Sequence, residues 1–253
     1  MSHGPRWSRS AWIGFSSAVR FLSIIPIGRA DSFDARAAIP FFPTVGLIIG
    51  AILASIHTMA GSFWPGQVVA MLDVLALALL TGALHLDGLA DTADGLYGSR
   101  DPDGAMVIMK DSRIGSMGTV CVVLCLGLKW VGLANIAGPG TLWLFLVPAY
   151  ARASLLFAIK ALPYGRPRGG TGQAFFQNPL KTKDFWSMAL LFGASFSIGW
   201  DAVALNLAFI VFVLLILRWY RKKMQCITGD MLGAMVEVIE AGLFLCAAAR
   251  WGF

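Results

Sequence analysis

Long apolar stretches separated by short polar ones dominate the chain, at about residues 37–60, 67–84, 115–137, 141–162, 185–199, 203–219 and 231–249. Each approaches the roughly 20 residues that a helix needs to cross the hydrocarbon core of a bilayer. The pattern predicts an all-α, polytopic integral membrane bundle of about seven transmembrane helices. Ahead of them, Trp7 to Ile25 is periodic rather than continuously apolar. Ala11, Phe15, Ala18 and Leu22 form one stripe, Arg9 and Arg20 lie eleven apart on a common face, and Pro26 closes the segment. This predicts an amphipathic helix lying in the membrane interface, within an N-terminal region of residues 1–30. The competing reading is an eighth crossing. No compact apolar core followed by a small-residue cleavage site is found there, so the segment is expected to be retained.

Composition agrees with this pattern. Of 253 residues 57% are apolar and 13% charged, and the mean hydropathy is +0.72, which excludes an ordinary soluble domain and predicts one membrane-embedded domain over residues 1–253. The net charge of +6 matters through its distribution. Arg6, Arg9, Arg20, Arg29 and Arg36 precede the first stretch; Arg100, Lys110 and Arg113 follow the second; Arg166, Arg168, Lys181 and Lys183 follow the fourth; Arg218, Arg221, Lys222 and Lys223 follow the sixth. The alternate connections near 61–66, 138–140 and 200–202 have no Lys or Arg. The positive-inside rule then places the N-terminus and every basic loop in the cytoplasm, and an odd number of crossings places Phe253 outside. The basic residues thus report topology and, secondarily, attraction to anionic lipid or a phosphorylated substrate; nothing calls for nucleic acid. The four cysteines form no CxxC pair, so neither a disulfide nor a zinc site is expected.

The candidate chemistry collects in the basic loops. After the second stretch comes His85-Leu-Asp-Gly-Leu-Ala-Asp-Thr-Ala-Asp-Gly95. On a helix, Asp87, Asp91 and Asp94 fall at i, i+4 and i+7, within an arc of about 60°. Three such carboxylates repel one another unless a cation neutralises them, and Mg²⁺ bridges a few carboxylates to substrate phosphates. They are the candidate metal ligands; the bland alternative is a solvated acidic face. Gly88 suits close approach of a ligand to the backbone, and Gly95 a helix end. On the same side, Met109-Lys-Asp-Ser-Arg-Ile-Gly-Ser-Met-Gly118 offers Lys110 and Arg113 for phosphate oxygens, Asp111 for the metal or for orientation, and Ser116 at an anion-binding helix start. The acidic active-site segment therefore spans 85–118.

Further candidates are weaker. Arg166-Pro-Arg-Gly-Gly-Thr-Gly-Gln-Ala-Phe175 places Arg166 and Arg168 beside a glycine-rich loop with Gly170, Thr171 and Gln173, although a flexible connector reads equally well. In Thr228-Gly-Asp230 either side chain can cap the last helix, while Asp230, Glu237 and Glu240 share a face of that helix. Arg152 sits late in the fourth stretch, where it can reach phosphates or snorkel, and Asp73 and Lys129 suit a buried structural pair as well as catalysis. His85 alone among the histidines adjoins the acids.

The acidic string, with Met109-Lys-Asp-Ser-Arg-Ile-Gly115 after it, resembles the cobalamin synthase family, adenosylcobinamide-GDP ribazoletransferase. Arg20-Phe-Leu with Pro26, Pro43 with Gly46 and Gly50, Gly170-Thr-Gly-Gln and Thr228-Gly-Asp-Met-Leu-Gly-Ala234 extend the likeness over nearly the whole chain. The resemblance implies a multi-pass enzyme of the bacterial cytoplasmic (inner) membrane that needs Mg²⁺. Its substrates would be adenosylcobinamide-GDP and α-ribazole or its 5′-phosphate, with GMP released. Association into a homo-oligomer or with other cobamide-assembly enzymes stays open. The competing enzyme readings are a CDP-alcohol phosphotransferase or an aspartate-rich prenyltransferase. The competing class is a cation-coupled transporter using Asp73, Glu237 and Glu240.

Overall fold

A computed structural model describes residues 6–28, 33–99, 101–136, 140–166 and 172–249. The helices are α1 (Arg6–Leu22), α2 (Ala35–Ala38), α3 (Phe42–Gly61), α4 (Gly66–Leu80), α5 (Leu84–Gly98), α6 (Pro102–Ile108), α7 (Ser116–Ala134), α8 (Gly140–Ala161), α9 (Trp186–Ser195), α10 (Asp201–Lys223) and α11 (Gly229–Ala248). No strand forms among the described residues beyond an isolated bridge between Tyr164 and Ile227. The protein is an all-helical, multi-pass membrane bundle.

Not all of the seven expected crossings form as single long helices. Among the described residues, five helices are long and apolar enough to cross a membrane: Ala35–Gly61, which joins α2 to α3, then α7, α8, α10 and α11; the pair α4 and α5 makes a sixth if counted as one bent span. Two local events account for the difference. The second apolar stretch breaks after Leu80, where Gly82 (φ 60) and Ala83 (φ 56) adopt the left-handed conformation and turn α5 by 88° from α4. For an alanine that conformation costs roughly 1–2 kcal/mol, so the bend is held by its surroundings. The stretch at 185–199 yields only the 10-residue α9 and a 3-10 turn, Phe196–Ile198, closed by Gly199 at φ 64. Its apolarity was legible; its shortness was not.

The interior belongs to α8 and α11, whose spans are 78% and 72% buried, against 28% and 22% for α7 and α10. The latter two therefore present most of their apolar surface to lipid. On α3, Gly46 and Gly50 lie one turn apart and rest on the α8 backbone at Pro148–Ala149 and Phe145, where a Cβ has no room. This is the small-xxx-small device that lets membrane helices approach closely. Amphipathic α1 buries Ala18, Val19 and Leu22 and leaves Trp12 exposed, and the Ser17 hydroxyl accepts a hydrogen bond from the Asp34 amide at 3.0 Å.

The intramembrane charges pair differently from the expectation. Asp73 meets His57 at 2.6 Å, not Lys129. Lys129 instead donates to Glu237 at 2.7 Å and Glu240 at 2.5 Å, and Arg152 donates to Glu240 and, at 3.2 Å, to the Pro148 carbonyl. The reason is geometric: Glu237 and Glu240 sit three apart on α11, so both reach the α7 lysine, while Asp73 on α4 faces α3.

Candidate functional site

Helix α5 continues through all three aspartates and past Gly95, which does not end it: Gly95 packs against the Met109 side chain and the Ala105 carbonyl. The three carboxylates nevertheless part company. Asp94 accepts hydrogen bonds from the Gly115 amide at 2.6 Å and the Gly118 amide at 2.8 Å. Gly115 has no side chain with which to cap α7, so Asp94 caps it from α5. The helix start foreseen near Ser116 as an anion site is thereby filled from within the protein, and Ser116 itself is exposed. Among the described residues no group of three or more His, Cys, Asp or Glu side chains is arranged to hold a metal ion.

Asp87 is exposed and Asp91 half-buried, and neither has a hydrogen-bond or ion-pair partner among the described residues. The charges acting on Asp91 are those of Asp230, Asp87, Arg166 and Asp94. Asp230 comes close because Gly88 lets α11 approach α5: a Cβ at Gly88 would lie 2.7 Å from the Asp230 carbonyl oxygen. Gly88 thus serves helix packing, and it also lies in the lining of the neighbouring cavity. The Thr228 hydroxyl caps α11 by accepting from the Met231 amide at 3.2 Å, which leaves the Asp230 side chain for Arg166, whose Nη2 donates to Oδ2 at 2.7 Å. Two backbone hydrogen bonds fix that arginine beside α11, Gly165 to the Ile227 carbonyl and Ile227 to the Pro163 carbonyl, both 2.9 Å.

Asp87, Arg166 and Asp230, but not Asp91, border a cavity of about 310 Å³. His85, Asp87, Arg166 and Asp230 supply its polar lining, and Phe21, Phe42 and Phe175 an aromatic wall. His85 is buried and its Nδ1 has no partner. A larger groove of about 700 Å³ runs along the outer face of α10 between Trp200 and Phe212, but its lining is entirely apolar, so it offers no chemistry.

The remaining candidates scatter. Arg152 is fully buried, tied to Glu240 and not itself part of the cavity lining. Lys110 is exposed with no side-chain partner among the described residues. Arg113, 86% exposed, holds Asp111 through an Nη2–Oδ2 contact of 2.5 Å, and its hydrogen bonds pull the Asp111 carboxyl down to about 2. Gln173 is exposed at the start of a 3-10 turn, Gln173–Phe176. Arg168, Gly170 and Thr171 lie outside the described residues. Sequence reasoning missed the Arg166–Asp230 pair and the phenylalanine wall. It also missed Asp94 as a cap, for which the sequence Gly115-Ser-Met-Gly118, a helix start lacking a side-chain cap, was the available signal.

Comparison with known proteins identifies the family. Residues 14–248 match the family described as Cobalamin-5-phosphate synthase. Among similar proteins, one named adenosylcobinamide-GDP ribazoletransferase from Roseiflexus sp. (strain RS-1) is 37% identical, the alignment covering 92% of this chain and 88% of the relative. Proteins of the same name from Brevibacillus brevis and Syntrophobacter fumaroxidans are 32% and 34% identical, covering 94% and 95% of this chain and 98% and 100% of theirs. No solved structure matches. With a matched region that takes in α5, the Arg166 loop and the start of α11, the chain belongs to the cobalamin-5-phosphate synthase family and is a transferase of cobalamin biosynthesis.

Proposed function

We propose that this protein joins adenosylcobinamide-GDP to α-ribazole or its 5′-phosphate at the α5–α11 cavity, giving adenosylcobalamin or its 5′-phosphate and GMP, with Mg²⁺ held by Asp87 and Asp91. The observation that carries the reading is the carboxylate of Asp87 in one cavity lining with Arg166 and an aromatic wall, with Asp91 close enough to feel the charge of both, neither carboxylate having a hydrogen-bond or ion-pair partner among the described residues. Two free carboxylates suit Mg²⁺, which keeps several waters and takes one or two carboxylates together with substrate phosphates. Such an ion, when bound, draws charge from the diphosphate oxygens and stabilises departing GMP.

The chain's own groups do the positioning. Arg166, steered by Asp230, presents a guanidinium to the phosphate oxygens; Lys110 and Arg113 are exposed cations for the nucleotide side, with Arg168, Gly170, Thr171 and Gln173 on the adjoining loop. A ribazole hydroxyl attacks the phosphorus attached to cobinamide, the bond from that phosphorus to the oxygen of GMP breaks, and the hydroxyl proton is released. The transporter reading loses its support, because Glu237 and Glu240 are already met by Lys129 and Arg152, and Asp73 by His57.

Purified protein supplied with adenosylcobinamide-GDP, α-ribazole and Mg²⁺ should release GMP, and should need all three; no GMP would sink the reading. The cavity opens to the cytoplasm of a bacterial inner membrane in this proposal, with α1 in the interface. In a background lacking the four native cysteines, Ser62→Cys should react with an impermeant thiol reagent on intact cells, and Ser99→Cys only after the membrane is opened.

A further inference from the structure

We propose that the cavity is the subsite for the aromatic base of the ribazole substrate, and that the corrinoid and guanosine parts of the other substrate stay outside it, at the charged mouth. This rests on the reading above and adds which substrate enters.

Size decides first. About 310 Å³ is at the small end of the roughly 300–1,000 Å³ that holds drug-sized ligands. A benzimidazole riboside is of that scale, whereas a corrin macrocycle with its amide side chains far exceeds it. The wall decides next. Phe175 lies 4.5 Å from Phe21 and 5.6 Å from Phe42 between ring centroids, and Phe21 and Phe42 are nearly parallel at 6.0 Å with a 23° interplanar angle. The charged groups form the other part of the lining, since Asp230 is bonded to Arg166 and feels the charge of Asp87.

A flat base without polar substituents buries against phenylalanines at no hydrogen-bond cost. Guanine would bring a carbonyl, a ring N–H and an amino group, each costly to bury unmet. Besides Asp87, Arg166 and Asp230 the lining has one polar side chain, His85, whose buried Nδ1 lacks a partner. A benzimidazole riboside has one free ring nitrogen and so brings a single acceptor, the smaller polar demand on this lining. With the base so placed, its ribose hydroxyls face Asp87 and Arg166, where the diphosphate docks.

The test uses the full chain in detergent. Equilibrium dialysis measures α-ribazole binding with no second substrate present, and initial rates give KM for each substrate, for wild type, Phe21→Leu and Phe175→Leu. Loss of an aromatic contact should weaken ribazole binding about 3- to 10-fold and leave KM for adenosylcobinamide-GDP unchanged. A rise in that KM with ribazole binding intact, or no change in either, overturns the assignment. Should the variants misfold, wild type decides: it should bind the α-riboside of benzimidazole at least about tenfold more tightly than that of guanine, whose unmet polar edge is costly, and equal binding overturns it. Ribazole binding without GMP release would fail the reaction but spare the subsite; GMP release with the corrinoid KM affected would do the reverse.

Discussion

Helix α11 carries acids at two depths, and the bundle treats them in opposite ways. Within the bundle, Glu237 and Glu240 meet Lys129 and Arg152, and all four are 3% exposed or less. At the start of the helix, Asp230 pairs with Arg166, whose charge also reaches Asp91 on α5, and neither Asp87 nor Asp91 has an ion-pair partner among the described residues. The inner acids are neutralised because taking an unpaired ion out of water costs several kcal/mol. Among the described residues the outer acids keep an excess of negative charge that water and a ligand can complete. An ion cluster that closes on itself thus marks architecture, and one left open marks a site.

That contrast can be broken from either side, most forcefully from the inside. Lys129→Met strands the buried Glu237, while Glu240 keeps Arg152, and should cost roughly 3–5 kcal/mol of stability, read as a lower thermal midpoint and less folded protein in detergent. Retention of wild-type stability would mean that the inner cluster is not structural. At the mouth the loss should appear in rate instead. Asp87→Asn and Asp91→Asn should each lower kcat by about 100- to 1,000-fold, the scale of losing a principal electrostatic contact to the transition state, with the thermal midpoint unchanged. If either variant unfolds the protein while its surviving fraction turns over normally, the distinction between the regions fails.

Asp94 lies between these cases and sharpens them. As the cap of α7 it contributes about 0.5–2 kcal/mol, so Asp94→Ala should lower stability by that order and reduce kcat much less than the changes at Asp87 or Asp91. A collapse in kcat at unchanged stability would return Asp94 to the metal set that its spacing suggested.

How far the sequence could be read follows from the same residues. Periodicity placed Asp87, Asp91 and Asp94 on one helix, and the helix is there, because spacing along a single element is a local property. Where each carboxylate points its lone pairs depends on which helix packs opposite. Gly88 admits α11, and Gly115 leaves an uncapped end for Asp94. The apolar stretches located every long crossing helix, but the left-handed residues Gly82 and Ala83, which turn α5, carry no hydropathy signal. The intramembrane charges were recognisable as unusual; their partners required the α7–α11 and α3–α4 contacts.

The smallest expected effect concerns Arg113 and Asp111, and its sign carries the information. Their contact is exposed, and Asp111 titrates near 2 because Arg113 hydrogen-bonds its charged form. Whatever stability it contributes is fully present above the ordinary carboxylate value, about 3.9, and is lost only as pH falls toward 2; between pH 5 and 8 it adds no pH dependence. Asp111 therefore stays charged at working pH and competes with any phosphate for the guanidinium. If Arg113 docks the nucleotide, Arg113→Ala should raise KM for adenosylcobinamide-GDP a few-fold, less so at high salt where exposed charges are screened. Asp111→Asn frees the same guanidinium and should lower that KM or leave it unchanged. If the pair is only a surface tether, the two substitutions should act in the same direction. Matching KM values from the two variants across a salt series would remove Arg113 from the site and leave Arg166 as the arginine at its mouth.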